Sequence, residues 1–386
     1  MKRLYPTMTQ LEITVRGLEI VEIPTWAQFC AACFSHKKPN PPPSSYFQRH
    51  FDNDPNKEVS LIRVAVKKHQ RNDAPETNCE DGNPNLVSSV RVFLRKLSTG
   101  EAMKESGGKL RNAGGIGEVC TLSQYRRQGI ASRLLKDAVM QMGARNLDCS
   151  LLHVSNPALQ AVYKKQGYAS VCTSWSNIPM RISFPSQEEF NDDYKYFIQI
   201  ATFEEDQVTR MSAIHKAYSE ERFAGCVIRS IAYWREYLSE ELNDQMHVLY
   251  VLPVATNDSA PFLCAWLSIR KRGTKFQIRE FGVDQNILTS SDALQKLLPV
   301  ALSSVDINDN GGSKNEAVDM NFPTFLLKEI KESSALHASF DWENIENVDD
   351  YGWMYKELNT GNDSDIKSMV ELCKTATHFI WPSDSF

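Results

Sequence analysis

Arg126-Arg127-Gln128-Gly129-Ile130-Ala131-Ser132 brings together residue types that can hold a phosphate. A short apolar run ends in this polar turn, and an amphipathic pattern starts at once after it. In a strand, tight turn and helix of this kind, successive backbone N–H groups face outward, and the helix dipole adds positive potential. Small residues at 129 and 131 let a pyrophosphate approach the backbone closely. Two arginines and a glutamine add side-chain donors. Taken alone, such a turn serves a nucleotide, a phosphorylated sugar or another phosphate-bearing cofactor.

The elements around the turn must aim it. Residues 116–122 read as the strand that feeds it. The helix after it places Ala131, Leu134, Leu135, Ala138 and Met142 on one face, with Gly143 near its end. Residues 148–154 read as the next strand. Asn156-Pro157 then opens a further helix, with Asn as N-cap and Pro at the first helical position. Strands are also expected at 11–15, 61–66 and 87–97, helices at 25–34 and 46–51, a long polar loop at 69–85 and a polar connection at 101–112. Residues 168–173 and 177–182 suit a hairpin. The segment 184–193, with Pro185 and an acidic run, reads as a linker. Beyond it, a strand near 197–201 precedes helical pieces over 205–242, broken near Ala224-Gly225. Strands at 248–252, 262–270 and 276–282, a helix at 292–303, strands at 317–320 and 351–358 and a helix at 365–374 complete the pattern. This order repeats that of the first half without its sequence. The expected organisation is a domain over 1–184 and a second over 194–386.

The chain has 386 residues, a net charge of −5 and nine cysteines. Such a length favours two domains. The mild negative charge does not suggest a nucleic-acid or anionic-membrane binder. No apolar run reaches the length of a membrane span, and no signal core follows Lys2 and Arg3, so a cytoplasmic protein is expected. The odd number and irregular spacing of the cysteines do not suggest a disulfide framework. Cys30 and Cys33 share one helical face with Trp26, Phe29 and Phe34, which points to core packing rather than to redox or metal work. No metal is expected.

Arg126, Gly129 and Ala131 meet the [Gln/Arg]-x-x-Gly-x-[Gly/Ala] signature of the GNAT-type N-acetyltransferases, and the first half resembles that superfamily. Asn156, Ala158, Tyr163 and Gly167-Tyr168 resemble its second block, at the distance found there. The resemblance implies an α/β (α+β) fold of tandem GNAT-like domains, the second degenerate, and acetyl-CoA as co-substrate. It implies that the backbone of Val119, Cys120 and Thr121 pairs with the pantetheine arm. It implies that the turn from Arg126 through Arg127, Gln128, Gly129, Ile130, Ala131 and Ser132 holds the pyrophosphate, and that Asn156 meets the pantetheine or thioester end. Tyr163 would then protonate the leaving thiolate, and a backbone N–H near Val119 would stabilise the oxyanion.

The acceptor implied is a primary amine: a small molecule such as lysine or a polyamine, or a protein lysine. Three groups are candidates to take its proton. Glu118 lies on the key strand, though it and Val119 should face opposite sides of the sheet. His153 lies on the neighbouring strand and can act through water. The third is the C-terminal carboxylate of Phe386. Gly114-Gly115-Ile116-Gly117-Glu118-Val119 and Gly225-Cys226-Val227-Ile228-Arg229-Ser230, with Tyr233-Trp234, make the whole chain similar to the Eis-type and fungal lysine N-acetyltransferases. In the Eis type a C-terminal aromatic carboxylate reaches into the first domain's site, and residues 379–386 form an apolar-aromatic tail. The chain is short for the three full domains of that type.

Each residue also has a plainer role. Asn156 is a helix cap without any ligand, Tyr163 can pack as a ring, and Glu118 and His153 can be structural. Tyr46, Phe47 and Phe51 read as core before acceptor wall. Residues 283–291 have no arginine pair and no turn glycine, and Asp284 would repel a pyrophosphate, so the second half is not expected to bind CoA. A non-catalytic acetyl-CoA sensor or scaffold is the alternative reading.

Overall fold

The computed structural model describes residues 12–36, 40–67, 85–100, 110–181, 194–242, 245–253, 260–306, 317–331, 334–358 and 367–384. Most of the loop at 69–85, most of the connection at 101–112, the linker at 184–193 and Phe386 lie outside these residues.

Among the described residues the strands form two mixed sheets flanked by helices. The first holds β1 (Ile13–Gly17), β2 (Ile62–Lys67), β3 (Leu86–Thr99), β4 (Arg111–Thr121) and β5 (Cys149–His153). The two-residue β6 (Ala169–Ser170) lies at its far edge. Helices α1 (Ile23–Phe34) and α2 (Ser44–Asp52) cover one face, through Trp26, Phe29, Cys30, Phe47 and Phe51. Helix α3 (Ile130–Ala144) covers the other, with Leu134, Leu135, Ala138 and Met142 inward as the 3.6-residue period requires. At Gly114 a Cβ would come within 2.5 Å of the Met142 sulfur, so glycine there lets α3 seat on β4.

The hairpin expected from 168–182 does not form. β7 (Thr173–Arg181) leaves the first sheet and enters the second, between β13 (Ala317–Pro323) and β14 (Glu346–Asp350). In return β15 (Trp353–Glu357), from the far end of the chain, pairs with β5 and β6 in the first sheet. The short β9 (Ala224–Val227), at the expected helix break, pairs with β3. A cut at 184–194 would therefore take β7 from the second sheet and both β9 and β15 from the first. Local pattern cannot reveal this exchange, because each strand carries the same alternation whichever sheet receives it.

The second sheet also contains β8 (Tyr194–Ile200), β10 (Met246–Pro253), β11 (Phe262–Arg272) and β12 (Lys275–Val283). Helices α5 (Glu205–His215), α6 (Ser290–Asp306) and α7 (Thr324–Lys331) pack on it around Trp234, Trp266, Phe281 and Leu298. α4 (Pro157–Lys164) belongs to the first unit, and α8 (Met369–Thr375) packs under β9 and β15. β12 and β13 are parallel neighbours joined through α6, the same arrangement as β4, α3 and β5.

Two π-helical turns, Lys216–Glu220 and Tyr233–Leu238, flank β9. Burial raises the Glu220 carboxyl to about 7, against the pull of the Arg229 backbone N–H and side-chain charge. A carboxyl held above its unfolded value binds its proton more tightly in the folded state. It therefore favours folding below the unfolded value and loses that contribution as pH rises to about 7. Glu220→Gln should raise the unfolding free energy at pH 8 by roughly 2 kcal/mol and leave it nearly unchanged at pH 4, measured by urea denaturation.

Candidate active site

The parallel strands β4 and β5 part company. Their register runs from Ala113 opposite Cys149 to Gly115 opposite Leu151 and stops there, while β4 continues to Thr121. Among the described residues, β4 from Ile116 onward thus has no strand partner on the β5 side. On its other edge β4 stays paired with β3. Helices α3 and α4 both start at the carboxyl ends of these diverging strands, the position where ligands enter open α/β sheets.

A β-bulge sits in the free part of β4. Gly117 pairs with Arg91 and Cys120 with Ser89, so Glu118 and Val119 both stand opposite Val90. Glu118 adopts φ +52°, in the left-handed region that few non-glycine residues occupy. Gly114 and Ile116 face α3, and strict alternation would send Glu118 there too. The bulge instead leaves Val119 against the α3 core, while Cys120 packs with α1 and the Glu118 carboxylate approaches Arg91.

Glu118 is nearly enclosed. Its Oε1 lies 3.5 Å from Arg91 Nη1, and its Oε2 is buried with no hydrogen-bond partner among the described residues. Burial pushes this carboxyl up, and the Arg91 and His50 charges only partly oppose the effect. Arg91 is itself occupied by Asp54 Oδ2 at 3.3 Å and the His50 carbonyl at 3.2 Å, and Asp54 also takes Arg95. The carboxylate is therefore not locked into a tight ion pair.

The turn has the backbone that its sequence implied. Arg127 has φ +62° and Gly129 φ +75°, so N–H directions alternate around the turn. Gly129 is the N-cap of α3, and a Cβ there would meet nothing within 4 Å, so the approach to the backbone is open. The first N–H groups of α3, at Ile130, Ala131 and Ser132, have no intrahelical acceptor. Arg126, Arg127 and Gln128 are exposed. Arg126 Nε donates to the Thr121 carbonyl at 3.0 Å, which ties the turn to the end of β4, and Gln128 donates to the Gln124 carbonyl at 3.1 Å. These groups suit a pyrophosphate, and the free edge of β4 at Val119, Cys120 and Thr121 suits an extended amide-bearing arm. The side chains of Cys120 and Ile130 are core.

Tyr163 stands where the strands divide. Its ring meets Tyr168 edge-on at 6.0 Å, and the Tyr168 hydroxyl is 2.8 Å from Ser150 Oγ, which donates to the Gly114 carbonyl at 3.1 Å. Ser150 and Gly114 are one of the last register pairs before the gap. Burial raises the Tyr163 phenol to about 12, so it keeps its proton at neutral pH. Asn156 caps α4, accepting from the Ala158 N–H at 2.9 Å. His153 hydrogen-bonds Asp350 Oδ2 at 2.8 Å through Nε2 and lies against Trp353, on the edge of β5 that β15 covers. Cys30 is buried in the α1 core with its sulfur 4.0 Å from that of Cys120, and burial raises the Cys30 thiol. Among the described residues no group of His, Cys, Asp and Glu is placed to hold a metal ion, and no helix is long and apolar enough to cross a membrane.

Sequence reasoning missed the second unit's contribution. Glu241 and Arg279 form an ion pair, and Glu241 Oε2 also meets His50 Nε2 of α2 at 3.1 Å. Tyr46 stacks on His50 with centroids 4.3 Å apart. Tyr233 and Tyr237 lie over Arg95, at 5.0 and 5.4 Å. The second unit thus packs against the α1–α2 side of the first sheet, toward which Glu118 points. In the second unit itself, Asp284 follows β12 and is paired with Arg210.

The parallel strands β4 and β5 diverge beside a turn whose backbone N–H groups suit an anion. The family model of the acetyltransferase (GNAT) domain matches residues 14–171. Solved structures share the fold over nearly the whole chain. A conserved protein of unknown function from Enterococcus faecalis V583, a probable N-acyltransferase, superposes with a TM-score of 0.55 at 12% identity, covering 90% of this chain and 73% of that one. A GCN5-related N-acetyltransferase from Anabaena variabilis ATCC 29413 gives 0.54 at 13% identity, with 90% and 73% covered. Eis1 from Mycobacterium abscessus gives 0.52 at 12% identity, with 90% and 74% covered. No curated protein matches the sequence significantly.

Proposed function

We propose that this chain transfers an acetyl group from acetyl-CoA to a primary amine by direct attack, in the cleft between β4 and β5. The observation that carries this reading is the bulge at Glu118, which puts a buried carboxyl, its Oε2 without a hydrogen-bond partner among the described residues, beside this edge of β4. Acetyl-CoA supplies the activated acetyl group. The turn from Arg126 to Ser132 holds its pyrophosphate, and the backbone of Val119, Cys120 and Thr121 aligns its arm as an added strand would. Asn156 faces the same arm from the start of α4.

Glu118 takes the proton that the amine loses on attack. A carboxyl raised by burial is a better base than an exposed one. The bulge leaves a backbone N–H at Glu118–Val119 outside the ladder, and it stabilises the charge that develops on the carbonyl oxygen. Tyr163, protonated at neutral pH, returns a proton to the leaving sulfur. Holding both substrates in one cleft removes the need for a covalent acyl-enzyme. The second unit binds no CoA, because Asp284 and Arg210 occupy each other where its turn would need free donors.

Tyr163→Phe tests this reading. It should lower kcat by about 10²-fold while acetyl-CoA affinity stays within about twofold, measured by thiol release and by calorimetry. Unchanged turnover would remove Tyr163 from the chemistry.

A further inference from the structure

The second sheet presents a group of arginines to the same region. Arg270 and Arg272 alternate along β11, and their partners on β12 are Gln277 and Lys275. Arg279 is two residues beyond Gln277, within the diagonal reach of cross-strand side chains. Arg279 is buried, and its Nε has no hydrogen-bond partner among the described residues. Its Nη1 reaches Gln245 Oε1 at 3.2 Å, and its Nη2 pairs with Glu241. Among the described residues, Arg270 Nε donates to an amide, Gln277 Oε1 at 3.0 Å.

Among the described residues, the acidic side chains near these three charges are already engaged. Both oxygens of Glu241 are taken, one by Arg279 and one by His50. Asp350, the acidic group that acts on Arg272, is held by His153 at 2.8 Å. Glu346 is paired with Lys275 at 3.6 Å. Burial, together with Arg272 and Arg279, pushes Arg270 down to about 9, the mark of a guanidinium short of an anion.

The cluster also lies on the acceptor side. Glu241 joins Arg279 to His50, and Tyr46 stacks on His50. The Tyr46 hydroxyl feels the charges of Glu241, Glu118 and Arg279 together. One aromatic wall therefore has the proposed base on one side and the arginines on the other.

We propose that Arg270, Arg272 and Arg279 form an oxyanion subsite of the acceptor pocket, and that the acceptor is an amine carrying a carboxylate or phosphate at its far end. The forked guanidinium donors match either oxyanion in two-point contact. The substrate class rests on the acetyl-transfer reading, whereas the anion site itself rests only on the arginines.

The test uses the full chain with hexylamine, 6-aminohexanoate and 6-aminohexyl phosphate. Wild type should favour at least one of the anionic amines over hexylamine by tenfold or more in kcat/KM, through KM. Arg270→Gln should shrink that ratio by about tenfold, and Arg272→Gln should shrink it less. No preference in wild type, or a preference unaltered in Arg270→Gln, would overturn the proposal. Stimulation of hexylamine turnover by free acetate or phosphate, to the level of the joined compounds, would overturn the placement of the anion on the acceptor. Calorimetric binding of the anionic amines separates the two readings. Binding that weakens in Arg270→Gln sustains the subsite even if no acetyl transfer occurs, and absence of binding to wild type sinks it even if hexylamine is acetylated.

Discussion

Glu118→Gln lowers turnover by about 10²- to 10⁴-fold and leaves acetyl-CoA affinity within about twofold of wild type. The substitution keeps the size and the hydrogen-bonding acceptor but removes the ability to take a proton. Arg91 keeps Asp54 and the His50 carbonyl as partners, and urea denaturation of the variant checks that the fold is retained. The pH dependence adds a second signature. Burial raises this carboxyl, and the base must be ionised to work. The wild-type advantage over Glu118→Gln should therefore fade as pH drops through a point above the ordinary carboxylate range. Taking the ratio of the two rates cancels protonation of the amine, which affects both proteins alike. A variant that keeps a third or more of wild-type turnover, or a ratio independent of pH, would return the role to His153 or to the carboxylate of Phe386.

Arg229→Met destabilises the protein by about 3–5 kcal/mol, the cost of breaking a buried ion pair from one side. Arg229 is fully buried and grips two carboxylates at once, Glu280 at 2.8 and 3.1 Å and Asp384 at 2.7 and 3.1 Å. It also lies 4.6 Å over the Trp234 ring. Removing the guanidinium leaves two carboxylates facing each other without water. The triple variant Arg229→Met, Glu280→Gln, Asp384→Asn removes the stranded charges and should recover most of the loss in urea denaturation. Failure of the triple variant to recover would mean that the side chain's packing on Trp234 outweighs its charge.

Local features were legible in the sequence to the extent that they arise locally. The turn at Arg126–Ser132, the cap at Asn156 and the apolar face of α3 follow from short-range rules, and each appears where those rules put it. Two features escaped for a common reason. The exchange of β7 and β15 depends on which sheet edge is free, a long-range property that strand alternation does not encode. The bulge at Glu118 inverts that alternation over two residues. Its one local hint is the run Gly114-Gly115-Ile116-Gly117, which relaxes the strand just before it. The arginines of β11 and β12 carry no local signal of their own, and their place follows only from the second sheet facing α2 through Glu241 and His50.

Amine-dependent thiol release by the full chain, read together with the mass of the product, tests acetyl transfer most directly. One free CoA thiol for each N-acetylated amine, with release that requires the amine, is the result expected. Acetyl-CoA that binds yet stays intact with every amine of a broad panel would contradict it and leave an acetyl-CoA-binding sensor or scaffold in its place.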